Sequence, residues 1–169
     1  MQSPICAMLG IEFPLLAFSH CRDVVVAVSK AGGMGVFGAA ALPPERLEEE
    51  LAWIDAHIGG KPYGVDLIVP NSFAGKGEAP AAGAARVPET HLGFAADVLD
   101  KFGVDAAGLD GATEARQSFG DNMHEEGAAK LLEVAFRHPI RLIANALGVP
   151  PQLMLELGKR HGVPVAALV

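Results

Sequence analysis

Val163-Pro164-Val165-Ala166-Ala167-Leu168-Val169 is a short, wholly apolar run, the last of five in a chain of 169 residues. Its length and branched side chains suit a strand buried on both faces. Pro150-Pro151-Gln152 to His161, just before it, reads as a helix with proline in the first turn and Lys159, Arg160 and His161 in the last. The same order recurs toward the N-terminus. Pro139 to Asn145 is a fourth strand, preceded by helical patterns at Asp121–Arg137 and Glu89–Phe102. Tyr63 to Val69 is a third strand. It follows the clearest helix, Pro43–His57, which sets Leu47, Leu51 and Ile54 on one face. Met34 to Gly38 is a second strand after a short helix at Asp23–Lys30, and Phe13 to Phe18 is the first.

Strands alternating with helices predict an α/β fold with a parallel sheet and helical crossovers. Two architectures fit. One is a (β/α)₈ TIM barrel represented by strands one to five, since a full barrel takes about 250 residues. The other is a five-stranded doubly wound open sheet, complete at this length. The final strand favours the barrel: a parallel strand buried on both faces needs a covering helix, and none follows Val163–Val169. A chain stopping at a strand end is the expectation. Residues 1–169 read as one domain. The stretch 70–88, rich in Ala, Gly and Pro, is expected to be a flexible loop.

Half the residues are apolar and a fifth are charged, a globular composition. The net charge of -7 disfavours a nucleic-acid partner, which would want a basic face. No apolar run reaches the roughly 18 residues a membrane span needs. Met1 to Cys6 shows no signal-peptide pattern. Cys6 and Cys21 have no metal-ligand or redox spacing. The expectation is a cytoplasmic protein acting on a small molecule.

Gly33-Met34-Gly35-Val36-Phe37-Gly38 has the GxGxxG spacing of a dinucleotide loop but follows a helix and opens a strand. The fingerprint requires the reverse, so these glycines read as a helix end and as points of close packing. Sites in parallel α/β folds lie at the carboxyl ends of the strands. The polar residues near those ends are Ser19, His20 and Asp23 after strand one, Asp66 in strand three and Asn145 in strand four. A lone polar residue in a buried strand costs a few kcal/mol unless paired, so the set suggests a shared site. Singly, Asp23 is equally a helix N-cap and Asn145 a turn residue. His20 suits general acid–base work, and a histidine tied to a neighbouring loop is the competing reading. His57 and His161 read as helix-end cations. His124-Glu125-Glu126 lacks metal-ligand spacing, and no metal is expected.

Leu9-Gly10-Ile11-Glu12-Phe13-Pro14-Leu15-Leu16 and Ala27-Val28-Ser29-Lys30-Ala31-Gly32-Gly33-Met34-Gly35-Val36-Phe37-Gly38-Ala39 resemble the opening of the nitronate monooxygenases. Tyr63 to Pro70 resembles that family's third strand. Leu147-Gly148-Val149-Pro150-Pro151 and Gly162-Val163-Pro164-Val165 resemble the stretch from its fourth strand to its fifth. The resemblance spans the chain except for Pro70–Gly120. It implies a (β/α)₈ barrel, bound FMN and oxidation of alkyl nitronates by dioxygen. Flavin-dependent enoyl-thioester reductases share the early motifs and are the alternative; a non-catalytic half barrel needing a partner is another.

The resemblance places Ala17, Phe18, Ser19, Asp66 and Asn145 near the flavin. Phe18-Ser19-His20 stands where family members often carry Ala-Pro-Met, and Asp66 where they often carry Asn. Ala144-Asn145-Ala146 replaces the fourth-strand histidine that serves as catalytic base, so that role is not carried over. His20 is the substitute base we infer. The family's phosphate-binding strands seven and eight lie outside these residues. Open sheet edges invite pairing with a second copy.

Overall fold

The computed structural model describes residues 3–70, 89–104, 118–146 and 148–168. Its elements run α1 (Pro4–Leu9), β1 (Leu16–Ser19), α2 (Arg22–Lys30), β2 (Met34–Gly38), α3 (Pro44–His57), β3 (Tyr63–Leu67), α4 (Glu89–Lys101), α5 (Glu125–Arg137), β4 (Leu142–Asn145), α6 (Gln152–His161) and β5 (Val165–Ala167). All pairings are parallel, and the strand order is β1-β2-β3-β4-β5. This sequential order is that of a barrel. A doubly wound sheet reverses direction about its first strand, so that alternative is corrected. The stretch 71–88, read as a loop, lies outside the described residues.

The helices cover one face of the sheet. Leu47, Leu51 and Ile54 of α3 are fully buried with Leu131, Leu132 and Ala135 of α5 against Phe37, Val65, Leu67 and Ile143. Each large side chain so buried contributes roughly 1.5–3 kcal/mol. Gly35 brings α2 onto β2: a Cβ there would lie 2.3 Å from the Val25 carbonyl oxygen. The Ser29 hydroxyl accepts the Gly35 N–H at 3.0 Å in the same contact.

The other face, inward in a barrel, is closed at its amino end by α1. Cys6, Leu9 and Ile11 pack there on Met34, Val36 and Leu142. The sequence reading missed α1, because six residues are too few to show a period. Its signals were Pro4 at the first turn and Gly10 at the end. The first strand begins three residues later than expected. Glu12 and Phe13 give their N–H groups to Gly32 O and Pro14 has none, so the ladder starts at Leu16. The expected helix 121–137 breaks before Glu125, where His124 is the extended N-cap. Cys21, not Asp23, is the N-cap of α2, and Asp23 lies in its first turn.

Candidate functional site at the carboxyl ends of the strands

Strand alternation divides the candidate residues between two faces. Phe18 neighbours Val36, and Asp66 lies between Gly38 and Ala144, all on the inward face. Ala17 neighbours Gly35, Ser19 neighbours Phe37, and Asn145 neighbours Leu67, all on the helix face. The structure therefore brings Phe18, His20 and Asp66 together. It does not bring Ala17, Ser19 or Asn145 to them.

His20 follows β1 and arches over the end of β2. Its Nδ1 is 2.9 Å from Gly38 O. A carbonyl only accepts, so Nδ1 carries the proton and Nε2 is the basic nitrogen of the neutral ring. Phe18 holds the imidazole edge-on at 4.9 Å between centroids. Gly38 makes this possible: a Cβ there would fall 2.4 Å from the Phe18 ring and 2.9 Å from His20 Cε1. Sequence reading took Gly38 as a point of close packing; the structure shows that the packing partner is the candidate base itself.

Asp66 is 6 % exposed, and its Oδ1 is buried without a hydrogen-bond partner. Burial pushes its carboxyl up to about 6, against a smaller opposing pull from His20. The neighbours on its face, Gly38 and Ala144, offer no polar side-chain atom. An orphaned buried carboxyl at a strand end is what a ligand subsite leaves when ligand atoms would complete it.

Asn145 is fully buried, and its amide ties backbones together. Oδ1 accepts the Val69 N–H at 2.8 Å, and Nδ2 donates to Gly148 O at 3.2 Å. Ser19 Oγ accepts the Cys21 N–H at 3.0 Å and shapes the turn into α2. Beside His20 on the helix side is a cleft of about 300 Å³ lined by Arg22, Asp23, Leu42 and Glu50. Arg22 is not free there. It pairs with Glu50 at 3.3 Å and lies over the half-buried Trp53 at 4.5 Å.

One cluster, built around His138, carries no signal in the sequence. His138 Nδ1 lies 2.6 Å from Asp55, which also accepts the Tyr63 hydroxyl at 2.7 Å. Burial and Asp55 push the Tyr63 phenol up, keeping it a donor. Tyr63 starts β3, so this cluster sits at the amino end of the sheet and ties α3, β3 and the end of α5 together. A spacing of 83 residues between Asp55 and His138 leaves no local pattern to read.

Parallel strands in barrel order, with a polar pair at their carboxyl ends, define the class: a β/α enzyme fold of the barrel type. Among solved structures, the chain resembles nitroalkane oxidase from Streptomyces ansochromogenes, with a TM-score of 0.62, 18% identity, and coverage of 98% of this chain and 42% of that one. It also resembles FabK from Thermotoga maritima, with a TM-score of 0.60, 17% identity, and coverage of 100% and 38%. These likenesses concern the fold. In sequence it is 47% identical to a Mycobacterium tuberculosis protein named "Putative monooxygenase Rv1533", over 99% of this chain and 45% of that protein. It is 31% identical to a "Probable nitronate monooxygenase" of Staphylococcus saprophyticus over 42% of this chain and 21% of that protein. No protein-family model matches. Over these stretches the chain is similar to the nitronate monooxygenases, in line with its motifs, and it spans less than half the length of these relatives. No helix among the described residues is long and apolar enough to cross a membrane.

Proposed function

We propose that this rim is part of the site of an FMN-dependent oxidoreductase that oxidises alkyl nitronates with dioxygen. The observation that carries the reading is the pairing of an orphaned, buried Asp66 with a histidine whose Nε2 is left basic. The rim suits one edge of a flat ring system. Asp66 offers an unused polar atom, Gly38 and Ala144 present almost no side chain, and Phe18 supplies an apolar wall that is 54 % exposed. Bound FMN would accept electrons from the substrate and pass them to dioxygen. Phe18 and Asp66 are the residues that would hold its ring. In this reading the FMN phosphate is left to the later strands of the barrel, as the resemblance implies.

His20 is the general base of this reading: Nε2 takes the α-proton of a neutral nitroalkane, leaving the nitronate that is oxidised, while Gly38 O steadies the imidazolium through Nδ1. A small molecule is the partner and the cytoplasm the location. An acidic chain with two unpaired cysteines supports both. Residues 1–169 then form one domain carrying strands one to five of the barrel. The test is the visible spectrum of the intact protein purified without added cofactor. Flavin absorbance in proportion to protein is expected, and a colourless protein that takes up no FMN refutes the reading.

A further inference from the structure

We propose that filling the rim is coupled to protonation of Asp66: a ligand seated there drives proton uptake by this carboxyl, and His20 opposes it. The inference rests on the flavin reading above. Asp66 is already nearly out of water, and its Oδ1 has no donor. A ligand on the inward face removes what water remains. Desolvation favours the neutral acid, so covering the group raises its proton affinity further. In its neutral form the carboxyl becomes a hydrogen-bond donor as well as an acceptor, which a carboxylate cannot be.

The surroundings leave few competitors for this charge. From β2 the group faces Gly38 and from β4 Ala144, neither of which titrates. From the turn after β1 comes His20, which in its protonated form pulls Asp66 toward the carboxylate. Arg22, Asp23 and Glu50 line the cleft on the far side of His20. Tyr63, on the same strand, packs into the helix-side core and bonds to Asp55. The ligand-free carboxyl already titrates near 6, so a modest further rise carries it through neutrality.

The experiment is calorimetric titration of FMN into the full chain between pH 5.5 and 8, in two buffers of different ionisation heat. Proton uptake approaching one per FMN is expected near neutral pH. Affinity should weaken by up to tenfold per pH unit above the midpoint of the ligand-free carboxyl. D66N should take up about one proton fewer per FMN and keep only the pH dependence that the FMN phosphate monoester, with a second pKa of about 6, brings to both proteins. Carboxyl-carbon NMR of the ligand-free chain should place the Asp66 midpoint near 6 and move it upward in H20Q. FMN binding with the same proton count and the same pH dependence in parent and D66N overturns the coupling and leaves the flavin reading standing. Absence of FMN binding at every pH, with the Asp66 midpoint still near 6, overturns the flavin reading and the coupling with it. A midpoint in the ordinary carboxylate range overturns the coupling whatever FMN does.

Discussion

Replacing Asp66 by asparagine should make the protein more stable at neutral pH, and the gain should vanish in acid. The carboxyl titrates at about 6 in the folded chain and near 3.8 when exposed. A group that binds its proton more tightly when folded loses stability as pH rises between those values, then levels off. At about 1.4 kcal/mol per pH unit, the gap of roughly 2 units amounts to about 3 kcal/mol. The asparagine side chain presents a similar shape with no charge to bury. It carries its own cost for an imperfectly paired amide, about 1–3 kcal/mol, but that cost does not change with pH. The readout is therefore the difference between variant and parent, taken from urea unfolding at pH 4 to 8. Below pH 4 it should be a constant. Between pH 4 and 6 it should shift in favour of the variant by up to about 3 kcal/mol, and above pH 6 it should stay there. A difference that is flat across this range would refute the reasoning, because it would mean that folding does not withdraw Asp66 from water.

His20→Ala should lower turnover of the neutral nitroalkane by about 10²–10⁴-fold, spare the preformed nitronate and leave flavin content unchanged; unchanged nitroalkane turnover would remove its role as base. Gly35→Ala drives a methyl group into the Val25 backbone and should cost about 1–3 kcal/mol or more; a melting temperature equal to the parent's would contradict the close approach of α2 to β2. Asn145→Ala strips the Val69 N–H of its acceptor and should cost about 1–3 kcal/mol, with faster hydrogen exchange at Val69; unaltered exchange would show that this bond does not hold the strand end.

Most of the fold was legible because it rests on local patterns. β2 was read with the boundaries the structure shows, and α3 within one residue, since Pro44, the early acids and the Leu47–Leu51–Ile54 stripe mark that helix without help from tertiary contacts. The end of β3 was less legible. Ile68 and Val69 continue the apolar run, yet the ladder stops at Leu67, and the Val69 N–H goes to the Asn145 side chain, 76 residues away. The site was legible only by position along the strands. Ser19, Asp66 and Asn145 all stand near carboxyl ends, but the face each takes depends on register, and one residue separates inward from outward. Asp66 and Asn145 lie on neighbouring strands one step apart in that register and so point to opposite sides. His20 was picked out for its chemistry; what fixes its tautomer is a backbone oxygen of another strand, which no spacing encodes.

The measurement that bears most directly on the central claim is oxygen uptake by the intact, FMN-loaded protein presented with an alkyl nitronate. Nitronate-dependent oxygen consumption is expected, and with the neutral nitroalkane as substrate the consumption should fall sharply in His20→Ala. No oxygen uptake with the nitronate, together with nicotinamide-dependent reduction of an enoyl thioester, would contradict it and assign the rim to the reductase chemistry instead.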